Sequence, residues 1–509
     1  MGFAEVSALW TLVVAAAAAL AGAAEVLVVL PQTSHSHLRC NTAVPRALAE
    51  RGHNVTLVVP WPPHGDTSMF KSVIVVGDCT DAYGGFLMRE YKKRGLFWLE
   101  NISYLTPGLL QPMSMWFFVW KYGDMMVEHT LQHPAFRREV LDRPDAHYDV
   151  VLSELLMQQE AFLGLAHHFD APLVALQPNA NHARVAAHMG GPTNPAYAND
   201  RWLQAAGSLD FWQRAKNVLL YLYSQAGLYL YHLPRQRGLL RRFFPDAPSL
   251  EELEEARLVL TVYNDHPLLT YPMALPSNVV RAPLAHLQPL PLPQRLQGLL
   301  DNATAGAIVF SLGSLMMPSE MPASVQSAFM TAFGELGHSV VARWSDKPPT
   351  ANVPDNVHLE TSWMPQDDLL AHANTLLLVS SCGWTSVQEA MWYGVPVLCM
   401  PRFGDQFATL AVVEELGVGL ALSKERSLAD VRQALQTLLQ PDNRYRRAAQ
   451  RLALLLQDQP VPALDVAVEA VEHVIRWRGA GRYRRPSAAR LHWHQLVLLD
   501  VVLFLKPSK

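Results

Sequence analysis

The stretch "LLLVSSCGWTSVQEAMWYGVPVLCMPRFGDQF", Leu376 to Phe407, decides the fold. Its apolar run Leu376–Val379 reads as a buried strand, Ser380-Ser381-Cys382-Gly383 as a turn, and Thr385 to about Tyr393 as a helix. A second strand and an acidic loop complete it. Strand, turn and helix in that order aim the first backbone N–H groups of the helix at any anion lying beyond its N-terminus. Such units belong to parallel α/β sheets, whose ligands collect at the carboxyl ends of the strands.

Working outward, "GAIVFSLGS", "SVVARW", "VHLETSW" and "VPVLCMP" add buried strands to the same half of the chain. A second series opens nearer the N-terminus. "EVLVVLP" (Glu25 to Pro31) is strand-like, and "TAVPRALAERGHNVTLVVP" ends a helix at Gly52, a C′ glycine, before a strand from Asn54. "YDVVLSE" (Tyr148 to Glu154) and "APLVALQP" (Ala171 to Pro178) flank the helical "AFLGLAHHF". Between the two series, Thr261 to Pro293 holds seven prolines and reads as a linker. The expectation is two Rossmann-like α/β domains facing across a cleft.

Bulk properties agree. A chain of 509 residues exceeds one ordinary core. With 41 basic against 45 acidic residues, the net charge of −4 argues against a general nucleic-acid binder. The cysteines Cys40, Cys79, Cys382 and Cys399 are too sparse for a disulfide scaffold, and no pair has metal-ligand spacing. Residues Ala8 to Ala23 are apolar and end in Ala21-Gly22-Ala23, the pattern of a signal peptide over residues 1–23, although "MGFAEV" carries no Lys or Arg. Sequons at Asn101 and Asn302 fit secretory entry, while Asn54 opens a core strand. At the other end, "LVLLDVVLFL" (Leu496 to Leu505) is too short to cross a bilayer, which needs about 20 apolar residues.

"WMPQDDLLAH" (Trp363 to His372), "SSCGWTSVQEAMWYGVPVLCMPRFGDQ" (Ser380 to Gln406), "VFSLGS" (Val309 to Ser314) and "SHSHLRCNTAVPRALAERGHNVT" (Ser34 to Thr56) together resemble the UDP-glycosyltransferases of animal secretory pathways, the invertebrate members more than the vertebrate ones. The resemblance implies the two-domain GT-B fold. Residues 24–265 would hold the acceptor and 296–478 the UDP-sugar, joined by a linker at 266–295 and followed by a basic tail at 479–509. It implies an inverting, metal-independent transfer of a hexose to a hydroxyl of a small lipophilic acceptor. The UDP-sugar is then a co-substrate and no cofactor is called for; the "PRFGDQ" loop is more similar to that of users of UDP-glucose than of UDP-glucuronate. "PGLLQPMSMWFFVWKYGDMM" (Pro107 to Met126) reads either as the acceptor pocket or as a helical core stripe. Family members usually carry a C-terminal transmembrane helix. Here the matching region is short, so the expectation is endoplasmic-reticulum lumen or membrane, with a secreted form or a truncated end as the alternatives.

By position, the resemblance puts Trp363 against the uracil with Gln366 on the nucleoside, and Ser314 and Arg343 near the nucleotide. Glu389 would accept the ribose hydroxyls, and Asp405 and Gln406 would bind the hydroxyls of the sugar. His37 would be the base for the acceptor hydroxyl, a role that suits an imidazole titrating near neutral pH. Glu154 occupies the family's Asp position and would orient it. At the opening turn, Ser381, Cys382, Gly383, Thr385 and Ser386 would face the diphosphate. The chain departs from the family here, since Ser381 replaces a His and Thr385 an Asn. Ser381 is expected to donate a neutral bond instead of a charged one. That departure leaves a second reading open, a UDP-sugar-binding homologue with weak or no transfer.

Overall fold

The computed structural model describes residues 22–79 and 110–479, apart from 33, 64, 156, 180–181, 271–272, 289, 314–316, 346, 348, 403 and 424–425, together with parts of 483–505. Residues 1–21 of the signal-peptide segment and the Asn101 sequon lie outside the described residues.

Two parallel sheets form the frame. The first runs β3-β2-β1-β4-β5-β6-β7, with β1 Glu25–Val29, β2 Asn54–Val59, β3 Ser72–Val75, β4 Val150–Ser153, β5 Leu173–Gln177, β6 Leu258–Tyr263 and β7 Val279–Arg281. The second runs β10-β9-β8-β11-β12-β13, with β8 Ala307–Ser311, β9 Ser339–Arg343, β10 Val357–Glu360, β11 Thr375–Ser380, β12 Val397–Cys399 and β13 Gly419–Ala421. The central strands are apolar on both sides: Val26 to Val29 are all fully buried, as a sheet covered on both faces requires. Each sheet reverses its winding once, between β1 and β4 and between β8 and β11, where both pairings are parallel. Those two switch points are where an open α/β sheet leaves a crevice for ligand.

Gly52 sits two residues past the helix His35–Glu50 at φ 93°, a left-handed turn that glycine adopts without a Cβ penalty. Asn302 is exposed, and Asn54 is partly buried, its amide donating to Glu25 Oε1 at 2.9 Å.

Two boundaries differ from the sequence reading. The Pro-rich stretch read as a linker contributes β7, which pairs with β6 through Val262↔Val280, so the first domain reaches beyond residue 265. Prolines fall on either side of the three-residue strand and not within it, which removes the conflict with a ladder. Conversely, the helix Ala463–Trp477, assigned by sequence to the second domain, packs on the first. Its Ala467, Val468, Ala470, Val471 and Val474 join the core formed by Val26, Val28 and Val55. Burying a Val side chain contributes about 1.5–3 kcal/mol, enough for this helix to fasten one domain to the other.

Candidate active site

The carboxyl ends of both switch points face one cleft of about 330 Å³, lined from one domain by His37, Arg39 and Asn179 and from the other by Trp363, Glu389 and Asp405. His37 lies in the first turn of the helix after β1, and Glu154 immediately follows β4, so the adjacent strands bring them together. Glu154 Oε1 stands 2.7 Å from His37 Nδ1 and its Oε2 accepts from the Asn41 amide at 2.6 Å. A carboxylate can only accept, so Nδ1 carries the proton and Nε2 presents its lone pair. That lone pair faces Asn179 Nδ2 at 3.0 Å, and the same nitrogen lies 3.5 Å from Asp405 Oδ2 across the cleft. Both His37 and Glu154 are buried, which holds the ring in one orientation.

On the opposite wall, β11 ends in the turn Ser380 to Gly383 and the helix Trp384–Trp392 begins with Gly383 as its N-cap, without a side-chain cap bond. The first N–H groups of the helix therefore remain for a ligand. Gly383 has an ordinary φ of −63°, and a Cβ added there would meet nothing within 4 Å. The glycine leaves room for something to approach the backbone. Thr385 and Ser386 line the same space.

Glu389, one turn further on, is buried and receives Gln366 Nε2 at 2.7 Å, Arg39 Nη1 at 3.2 Å and His286 Nε2 at 3.3 Å. Arg39 also pairs with Asp367. Burial would raise the carboxyl pKa, but Arg39, His286 and Gln366 outweigh it and hold Glu389 below the ordinary range. Burial likewise opposes charge on His286, yet the Cys40 sulfur at 3.5 Å and Glu389 push it up to about 9. Arg39 and His286 come from the first domain, so this carboxylate is a point of contact between domains.

The remaining expected residues divide as follows. Trp363 is 41% exposed and presents its indole to the cleft. Arg343 lines it too, with Nη1 donating to the carbonyls of Trp344, Glu360 and Thr361, so that guanidinium also ties strand ends together. Gln366 donates to Ser386 Oγ at 3.0 Å, and Gln406 accepts from the Arg402 N–H at 2.8 Å. Ser314 lies outside the described residues.

Two expectations about the turn change. Cys382 is bonded to Cys399, with Cα atoms 5.1 Å apart, and it is fully buried at φ 65°. Four cysteines do not make a scaffold, but one pair pins this turn to the end of β12, and the sulfur is not available to a ligand. Ser381 is buried and its hydroxyl donates to the Leu312 carbonyl at 2.9 Å. Its single proton is committed to tying β11 to the loop after β8, so it does not supply the neutral donor expected of it.

Sequence reasoning passed over Asn41, Asn179, Arg39 and His286. Asn41 could have been found, because it sits one helical turn after His37 on the same face. The segment Pro107 to Met126 begins outside the described residues. Its described part lies in the helix Leu110–Gln132, where Met115, Trp116, Val119 and Trp120 pack with Trp202 as a core stripe. Trp116 and Trp120 also line a separate cavity of about 220 Å³.

Two parallel-sheet domains with a buried histidine–carboxylate pair facing a helix N-terminus across the cleft define a GT-B glycosyltransferase. The chain belongs to the family "UDP-glucoronosyl and UDP-glucosyl transferase", whose profile matches residues 24–507. It is 30% identical over 494 residues to UDP-glucosyltransferase 2 of Dactylopius coccus, covering 95% of this chain and 90% of that one. It is 25% identical over 486 residues to UDP-glucuronosyltransferase 2B33 of Macaca mulatta, covering 92% and 88%. Among solved structures, the glycotransferase of kitacinnamycin superposes with a TM-score of 0.57 at 15% identity, over 89% of this chain and 99% of that one. This enzyme transfers sugar from a UDP-sugar to an acceptor.

Proposed function

We propose that the transferred group is a hexose, with UDP-glucose the leading donor, and that the acceptor is a small lipophilic hydroxyl compound deprotonated by His37. The observation that carries this reading is the shared contact of Asn179 with His37 Nε2 and Asp405 Oδ2. A hydroxyl entering between them would replace the amide at Nε2 and lie beside a sugar held by Asp405 and Gln406. His37 takes the hydroxyl proton, the oxygen attacks the anomeric carbon, and the bond to UDP breaks with its electrons moving to the diphosphate. Glu154 stabilises the imidazolium that forms. The free N–H groups at the start of Trp384–Trp392 and the helix dipole meet the growing negative charge.

An adjoining cavity of about 290 Å³, sharing Trp384 and Asp405 with the cleft and lined by Leu203, Leu268, Leu269 and Val412, supports a lipophilic acceptor. Residence in the secretory pathway is supported by the Cys382–Cys399 bond, since such bonds persist in oxidising compartments. The reading of a binder without turnover draws on the Ser381 hydroxyl, whose proton goes to the Leu312 carbonyl; the retained His37–Glu154 pair weighs against it. UDP release measured with UDP-glucose and UDP-glucuronate in competition, over a panel of phenols, tests the donor assignment. Faster turnover with UDP-glucuronate would overturn it.

A further inference from the structure

Cys40, His286 and Glu389 stand in a row behind the donor cleft. Cys40 lies one turn after His37 on the helix His35–Glu50, and it is a free thiol. Its sulfur is 3.5 Å from His286 Nδ1, and His286 Nε2 is 3.3 Å from Glu389 Oε1. With its pKa pushed up to about 9, His286 carries both ring protons at neutral pH, so Nδ1 donates to the sulfur and Nε2 to the carboxylate. The Thr385 hydroxyl and the Asn264 amide each lie 3.9 Å from the same sulfur, and Arg39 reaches Glu389 at 3.2 Å. Sulfur, imidazole and carboxylate in that order are the parts of an activated cysteine nucleophile. Sugar transfer as described above gives Cys40 no part.

Size decides what this sulfur can meet. Cys40, Asn41, Gln177, Asn264 and His286 line a cavity of about 20 Å³. A molecule the size of water or hydrogen peroxide fits there, and a carbonyl substrate does not, so acyl transfer is excluded. One lining group waits for such a molecule. Gln177, at the end of β5, is 6% exposed, and its amide Nε2 has no hydrogen-bond partner among the described residues. A buried donor left unpaired is costly, and a small oxygen ligand in the cavity would accept from it. Water would satisfy the amide without touching the sulfur; a peroxide would do both.

We propose that this cavity admits hydrogen peroxide and that Cys40 is oxidised there to a sulfenic acid, a modification that loosens the His286–Glu389 contact between the domains. The sulfur attacks one peroxide oxygen and the O–O bond breaks. The departing hydroxide takes the proton held by the Cys40–His286 pair and leaves as water. Sulfur loses two electrons, the peroxide gains them, and no further reactant is needed. The new oxygen is a stronger acceptor than the sulfur, so it draws Nδ1–H and turns the ring off Glu389. Thr385 and Glu389 line the donor cleft, so UDP is then held less tightly. That last consequence rests on the reading of Glu389 as a nucleotide residue; the oxidation itself does not.

The test treats the full chain with hydrogen peroxide, quenches it into denaturant with dimedone, and maps the adducts by mass spectrometry. Cys79, buried beside Tyr122 and Met126, is the internal comparison. Cys40 should be labelled at least tenfold faster than Cys79. His286→Gln, which removes the proton donor, and Gln177→Leu, which removes the waiting amide, should each slow labelling of Cys40 at least threefold. After oxidation, the Kd for UDP should rise at least tenfold in the natural protein and stay where it began in Cys40→Ser. Equal labelling of the two cysteines, or rates at Cys40 indifferent to both substitutions, would overturn the cavity as a peroxide site. Full labelling of Cys40 with an unchanged Kd for UDP would overturn its control of the donor site. The labelling arm contains no UDP-sugar, so its outcome is independent of the donor and base assignments.

Discussion

His37 and Glu154, 117 positions apart in sequence, stand 2.7 Å apart at the carboxyl ends of neighbouring strands, with the other carboxylate oxygen fixed by Asn41. On the proposal that His37 is the base, this carboxylate would stabilise the imidazolium formed when the ring takes the acceptor proton. Glu154→Gln keeps the shape and removes the carboxylate charge. The turnover number should fall roughly 10²–10⁴-fold, the range of a lost acid–base contribution, with affinity for UDP unchanged. A parallel loss of UDP affinity would point to a structural role for Glu154.

Asn179 offers a test with a pH signature. Asn179→Asp would put a second carboxylate beside His37 Nε2 and Asp405, and negative charge favours the imidazolium. The base must be neutral to act, so the acidic limb of the kcat/KM profile should move to higher pH and activity lost at neutral pH should return under alkaline conditions. An unshifted limb would show that His37 is not the titrating base.

His286 carries a prediction for stability. Its folded-state pKa of about 9 lies above the ordinary 6.5, so its contacts with Cys40 and Glu389 favour the folded state. That contribution is complete below about pH 6.5 and is lost as pH rises through 9. Midpoints of urea unfolding for the natural protein and His286→Gln should differ most near pH 6 and converge by about pH 10. Parallel curves would exclude a charged His286.

Gly383→Ala probes the anion cradle without straining the backbone, since φ there is −63° and the added methyl meets no protein atom. The fold should be unaffected and UDP affinity should drop about tenfold, a cost near 1.4 kcal/mol, because the methyl occupies the approach to the helix N-terminus. Calorimetric titration with UDP reads it directly, and an unchanged Kd would put the diphosphate elsewhere.

Much of this arrangement was legible in the chain. Short apolar runs such as "VLVV" and "LLLV", bounded by turn residues, read as strands covered on both faces, and the turn-to-helix order after Val379 located the anion-binding end. β3 escaped notice because Ser72–Val75 is short and half-exposed. β7 was hidden by the prolines around it, whose local signal a sheet edge overrode. The helix Ala463–Trp477 looked like part of the second domain because amphipathic spacing shows a buried face without naming its partner. Glu389 was found as a residue, but its contacts with Arg39 and His286 span 350 and 103 positions, and no local pattern encodes such distances. At Ser381 the residue type implied a donor toward the ligand, whereas the Leu312 carbonyl behind it was the nearer acceptor.

The central claim is that His37 removes the acceptor proton during sugar transfer. Single-turnover UDP release, with UDP-sugar and a phenolic acceptor, should be at least roughly 10²-fold faster in the natural protein than in His37→Ala while both bind UDP with the same Kd. Equal rates in the two, with UDP still bound, would contradict it and leave a UDP-sugar-binding protein without this chemistry.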